Sequence, residues 1–388
     1  MAFSSGAQRD LYYAIETDFG DGDNLDEMKE VRNIEDSISL ARDSFVSEER
    51  RGDRGIHDMR LGNKQPAGDI SFEFSYEAFD DFLMAALGAT AWVNAYGTVA
   101  PDVTVVASTR VISRTDGSWI TDGIKVGDPV TIAMTSFTAD AVGVIASVTA
   151  TDMTLETGVT GLEDVTVAET ATVTTTATVI KKGSKVHSFV VEKAFTDISE
   201  YQLYTGGIVN TMSLDLSSKM ITGSFGMLFK DADNDSSAFH TETPSNVSTS
   251  KPYDGFTGYI NEGGVVLAEA SSFSFSLDNG YNRNFVLMQT TCSQMTSGKS
   301  NVTGSVTLYF KDSLVYAKFV EETESSVEFQ LKDDEGNAYV VTLPRIKYTT
   351  ADTPVASDDA IVNTMSFQAL DDATEKTNII IRKQPKVA

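Results

Sequence analysis

Cysteine is nearly absent: Cys292 stands alone among 388 residues. No internal disulfide can brace the fold, and a chain this long can bury cores without one. Histidine is also scarce, with His57, His187 and His240 falling in different expected elements. There is no G-x-S-x-G elbow and no glycine-rich phosphate loop, so no hydrolase or nucleotide-binding pattern is legible. Nor does any stretch approach the ~20 apolar residues that a membrane helix needs. Met1 to Asp10 has neither the basic nor the apolar part of a secretory signal, so a soluble cytoplasmic product is expected. Positive charge is the last shortage: 30 Lys and Arg against 56 Asp and Glu leave a net charge of −26. Tight binding to nucleic acid draws on bases that displace counterions, so a DNA-gripping role is disfavoured.

The shortage of bases is uneven. Val126 to Ile180 contains no Lys or Arg and is dominated by Thr, Val, Ala and Gly. In and around it, Val103 to Ala107, Arg110 to Ser113, Val130 to Ala133, Val142 to Ala150, Met153 to Leu155 and Ala171 to Ile180 alternate as short strands do. Turn signals such as Thr115-Asp116-Gly117 separate them, and a small all-β domain over 98–183 is expected.

Outside that segment the chain repeats itself. IVNTMS occurs at Ile208 to Ser213 and again at Ile361 to Ser366, each time running into an alternating stretch. Upstream, Asp69 to Phe74 (DISFEF) reads as a strand leading into a helix over Tyr76 to Leu87, with Phe79, Phe82, Leu83, Ala86 and Leu87 on one face and Gly88 as the stop. Ser305 to Phe310 (SVTLYF) likewise leads into a helical stripe of Leu314, Val315 and Phe319, with Asp312 as N-cap. Ser188 to Val191 and Ala338 to Thr342 then supply a β-rich run before each IVNTMS. Phe72 and Val190 are 118 positions apart whereas Val306 and Val340 are 34 apart, which again marks an insertion in the first half. Asp334 to Asn337 predicts a hairpin turn.

The expected architecture is mainly β: two tandem sandwich or barrel domains, each with one flanking helix, plus the inserted small β domain. The boundaries are an N-terminal arm over 1–35, a discontinuous first domain over 36–97 and 184–230, the insert over 98–183, a polar linker over 231–254 and a second domain over 255–388.

This order of arm, strand, short helix (DISFEFSYEAFDDFLMAAL) and closing strands (IVNTMSLDL, IVNTMSFQAL) resembles the tail tube proteins of long-tailed, siphophage-type bacteriophages. The resemblance implies packed antiparallel sheets whose inner layers join those of neighbouring chains around a channel. It further implies stacked homo-oligomeric rings in the virion tail, assembled in the host cytoplasm, with tape measure and tail terminator proteins as partners and DNA passing during ejection without specific binding. Members with one tube domain form hexamers; two domains per chain suggest a trimer with pseudo-sixfold symmetry, a hexamer being the alternative. No cofactor, membrane or catalytic centre is implied.

Ring-to-ring contact in the family uses the arm and a long loop. The matching residues are Tyr12 and Tyr13 as aromatic anchors, and Glu48, Glu49, Arg50, Arg51, Arg54 and Arg60 in a segment of alternating sign. Asp215, Asp371 and Asp372, beside the repeated strands, are candidates for an acidic channel wall. The bland reading of the same segment is a solvated loop.

Other motifs carry less. Asp231, Asp233, Asp235 and Glu242 have the spacing of calcium-loop ligands, but Ser236 stands where the turn needs glycine, so a polar linker competes with a cation site. Arg51-Gly52-Asp53 is too short to signify adhesion. Trp92 and Trp119 suit either sugar stacking or a local core. A β-rich surface adhesin that binds host glycan is therefore the alternative function, and polymerisation separates it from a tube subunit.

Overall fold

A computed structural model describes residues 3–50, 52, 55–246, 248–267, 269–311, 314–352 and 360–387. Among these residues the chain is mainly β, with two α-helices of seven or eight residues. Two successions of strands carry it. The first comprises β1 (Arg9–Ile15), β2 (Ser39–Val46), β3 (Met59–Glu73), α1 (Asp80–Leu87), β4 (Phe189–Phe195), β5 (Glu200–Leu216), β6 (Thr222–Leu228) and β7 (Asp231–Asp235). The second comprises β8 (Gly258–Glu262), β9 (Ala270–Asp278), β10 (Asn301–Tyr309), α2 (Leu314–Val320), β11 (Ser325–Lys332), β12 (Ala338–Asp352), β13 (Val362–Ala369) and β14 (Ile380–Gln384).

In both successions one long strand belongs to two layers. The first part of β5 pairs with β4 and β7, and its last part with β6. The first part of β12 pairs with β11 and β14, and its last part with β13. A bulge lies at the same place in each long strand, between Val209 and Thr211 and between Tyr348 and Thr350. The bulge re-aims the strand as it leaves one layer for the other. The inner layer runs β2–β3–β6–β5–β9–β10–β13–β12, antiparallel throughout.

Alternation explains why these segments are strands. Along β9, Phe273, Phe275 and Leu277 face the core while Ser272, Ser274 and Ser276 face away. Phe72, Phe79, Phe82, Phe189 and Phe225 stack between the layers, with Phe82 and Phe189 rings 4.9 Å apart, and α1 closes that space. Each buried aromatic contributes ~2–3 kcal/mol through burial. All five residues expected on the α1 face are buried, and Gly88 (φ 62°) ends the helix in the left-handed conformation. Asp312 lies outside the described residues, and Phe319 of α2 is half-buried against the main core.

Asp102–Val106, Val111–Arg114, Pro129–Ala133, Ala141–Val148, Asp152–Leu155, Val165–Thr170 and Thr172–Thr175 form a separate seven-stranded sheet. It has its own core around Trp119, Val103, Ile132, Ile145 and Val173. Thr178–Lys181 leaves that sheet and pairs with β14. Asp128, fully buried, takes Arg382 at 2.5 Å and Gln384 at 3.0 Å from β14, and Lys125 meets Glu328 of β11 at 3.0 Å. The seven-stranded unit is thus tied to the second succession although it interrupts the first.

Three expectations change. Residues 9–15, expected in an arm, form a core strand in which Leu11, Tyr13 and Ala14 are buried against β4. Asp231–Asp235, expected in a linker, is strand β7, because β5 offers it a free edge. The two IVNTMS copies occupy non-equivalent strands, the first in β5 and the second entering β13; SFVV in β4 and AYVVT in β12 are displaced in the same way. Their side chains differ accordingly: across the β5 bulge Val209 and Met212 both face inward, whereas in unbroken β13 it is Asn363 and Met365. A sequence of small alternating residues suits any inner-layer strand, so six identities do not fix which one.

Candidate assembly edges and channel face

The inner layer has one face on the core and one open. Across the open face, directly opposed residues from β3 to β12 read Glu73, Thr222, Asp215, Ser274, Ser305, Ser366 and Thr350. The adjacent row reads Ser71, Ser224, Ser213, Ser276, Thr303, Gln368 and Lys347. Hydroxyls pair across strands, Ser213 with Ser224 at 2.9 Å, Ser274 with Ser305 at 3.1 Å and Thr307 with Thr364 at 3.2 Å. These bonds use short side chains that lie flat on the sheet. Asp69, Glu73, Asp215 and Asp278 add carboxylates, and Lys347 brings the one base of the two rows, 3.7 Å from Glu324. The surface is polar and negative, and it offers phosphate almost nothing to hold.

The inner layer also ends on both sides without a partner strand among the described residues. At one end β2 pairs with β3 alone. Most of its residues are exposed on both faces, with Leu40, Phe45 and Val46 among them. At the other end, Thr350 to Asp352 of β12 pair with β13 alone. Unpaired N–H and C=O groups on such edges accept another strand readily. A buried cluster fixes the base of β2: Asp36 is fully enclosed and binds Arg9 and, at 2.6 Å, Lys193.

The β2–β3 hairpin projects past the sheet. Glu48, Glu49, Arg50 and Arg60 are exposed there, beside the apolar side chains of Phe45, Val46, Ile56, Met59 and Leu61. Arg51 and Arg54 lie outside the described residues. Tyr13 is corrected: it is 2 % exposed, its hydroxyl donates to Asp81 at 3.0 Å, and burial followed by the Asp81 charge pushes its pKa upward. A ring held in the core cannot anchor a neighbour. Tyr12 is half-buried and sits edge-on to His240 at 5.3 Å. Asp215, a candidate for the channel wall, is exposed on the open face opposite Ser274. Asp371 and Asp372 sit beyond the end of β13 instead, Asp371 paired with Lys182 and Asp372 accepting from the turn amides of Thr374 and Glu375 at 2.8 Å. Those amides hold the Asp372 carboxyl below its usual range.

Asp231, Asp233 and Asp235 occupy a strand, so same-face carboxylates stand ~6.5–7 Å apart rather than converging as in a loop. Asp231 binds Lys64 at 2.6 Å. Trp119 is fully buried, with its indole donating to the Thr151 carbonyl at 3.0 Å and Arg114 over its ring, so it is core and not a sugar platform. Trp92 is half-buried and donates to the Asp80 carbonyl. Cys292 is buried, and burial pushes its thiol pKa up.

Sequence reasoning sought carboxylates and missed the hydroxyl rows and the two sheet edges. The rows left a signal in the alternation SSFSFSLD (Ser271–Asp278), whose polar members are all small. The edges left none, since a strand's sequence does not tell which side lacks a neighbour.

The family model described as phage tail tube protein matches residues 6–369. The chain belongs to the phage tail tube protein family. No curated protein sequence matches it. Membership implies a location in the virion tail and assembly into a tube with other tail proteins, and it suggests a structural rather than an enzymatic role. Among the described residues, no helix is long and apolar enough to cross a membrane.

Proposed function

We propose that this tail tube protein polymerises as stacked rings around an acidic channel that conducts DNA during ejection. The observation that carries the reading is the open inner-layer face, a nearly base-free pavement of hydroxyls and carboxylates bounded by two unpartnered strand edges. Rings align such faces around an axis, and a wall with so few cationic groups lets phosphate slide past with little counterion release. Asp215 belongs to that wall. Two tube domains per chain make three chains sufficient for a pseudo-sixfold ring, a hexamer being the alternative, and the β2–β3 hairpin with Glu48, Glu49, Arg50 and Arg60 meets the next ring. Tape measure protein inside the tube and terminator protein at its end complete the tail, which is assembled in the host cytoplasm and belongs to a siphophage-type particle.

Negative-stain microscopy of purified protein tests this reading. Hollow cylinders or annuli are expected; a discrete compact particle that binds cells or glycans supports an adhesin instead.

A further inference from the structure

The two strand successions meet inside the chain at one joint, β5 against β9. Its register is Thr211 with Asp278, Met212 with Leu277 and Ser213 with Ser276. The pairing registers also say which residue of one succession stands where in the other. Ile70 faces Phe225 and Phe225 faces Met212; Val306 faces Met365 and Met365 faces Ala351. Ala351 therefore holds the place of Met212. By the same route Ser39, which faces Ala67, holds the place of Ser276, which faces Thr303. Leu40 then corresponds to Leu277 and Ala41 to Asp278.

Within the chain that joint is closed, and its counterpart is open at both ends. Leu277 is 0 % exposed because β5 covers it, whereas Leu40 is 42 % exposed on an edge that lacks a neighbour. We infer that β2 of one chain pairs antiparallel with the end of β12 of another copy, in the register of the internal joint: Ala41 opposite Thr350, Leu40 opposite Ala351 and Ser39 opposite Asp352. This rests on the tube reading and names its ring-building contact. The occupant is a second copy of this chain, since only this chain supplies both edges and already contains the geometry that joins them. The contact is head-to-tail, so it propagates until the ring closes. It places Leu40 over the neighbour's core as Leu277 lies over Met212, and it carries the hydroxyl rows unbroken from one chain to the next.

Disulfide trapping tests the register. Ala41 and Thr350 are both exposed, so Ala41→Cys and Thr350→Cys leave each chain folded, which circular dichroism checks. Directly opposed Cβ atoms lie ~4.5–5.5 Å apart and diagonal ones ~7–8 Å; a disulfide needs ~3.5–4.5 Å. Oxidised assemblies of the double variant are expected to run as a covalent ladder ending at one closed ring, at least tenfold more cross-linked than the diagonal pair Ser39→Cys with Thr350→Cys. Tubes that form without that ladder, or with the diagonal pair preferred, overturn the register and leave the tube reading standing. Wild-type protein that stays monomeric at every concentration overturns both.

Discussion

The two strand successions differ most where they are most alike. Each has a hairpin before its helix, β2–β3 in the first and β9–β10 in the second. The second hairpin is satisfied within the chain: its excursion over 279–300 folds back on the first succession, with Tyr281 donating to Asn210 at 2.7 Å, the Thr290 carbonyl accepting from Lys64 at 2.7 Å, and Cys292 and Met295 packed with Ile208. The first hairpin has the same stem, and past its contact with that excursion at Lys64 it exposes Phe45, Val46, Met59 and Leu61. One region shows what a completed joint buries; the other shows that joint's free half.

Four perturbations sharpen the contrast. The largest effect is expected from Leu40→Lys, which places a charge where a neighbour's core must be covered. Assembly should be lost while the monomer melts as wild type, read by sedimentation and circular dichroism; normal tubes from this variant would detach β2 from ring building. Next is Asp128→Ala, which strands buried Arg382. Breaking a buried pair costs ~3–5 kcal/mol, to be measured by urea denaturation with Arg382 and Asp128 replaced singly and together. If either single change costs less than about 1 kcal/mol, the tie between the seven-stranded unit and β14 is not structural.

A smaller effect is expected at the hairpin tip. Phe45→Asp should spare rings but shorten cylinders, because the tip lies beyond the sheet edge; filament lengths in micrographs measure it. The smallest change in stability belongs to Asp215→Lys, a solvent-facing substitution expected to stay within about 0.5 kcal/mol. Its consequence is electrostatic: a ring of lysines on the wall should slow DNA release in an ejection assay, and increasingly so at low salt. Unchanged ejection would show that Asp215 does not face the passing DNA.

Much of this fold is legible in the sequence. The DISFEF strand and the α1 stripe come from unambiguous periods, two residues and then 3.6, and both are observed, although the helix begins at Asp80 and Tyr76 to Phe79, expected within it, form a turn. Most short strands of the seven-stranded sheet were found to within a few residues, although Val165–Thr170 was missed and Ala171 to Ile180, read as one strand, divides between two sheets. The failures share a cause. Tyr12 and Tyr13 sit near the amino terminus beside acidic, glycine-containing sequence, and nothing local reveals that β4 recruits them into a sheet. IVNTMS suggested equivalence, yet strand identity is fixed by long-range pairing and by the bulge at Asn210, which six residues do not encode. Asp215 is legible as a surface residue of its strand because it alternates with Leu214 and Leu216; Asp371 and Asp372 lie past the last paired residue, where alternation stops.

Hydrogen exchange resolved to single amides tests the central claim most directly, by comparing isolated chains with assembled tubes. The account predicts that, over 39–41 and 350–352, the amides pointing away from β3 and β13 exchange freely in the monomer and become as protected in the tube as their counterparts over 211–213 and 276–278. Tubes in which the outer edges of β2 and β12 still exchange at monomer rates would contradict it.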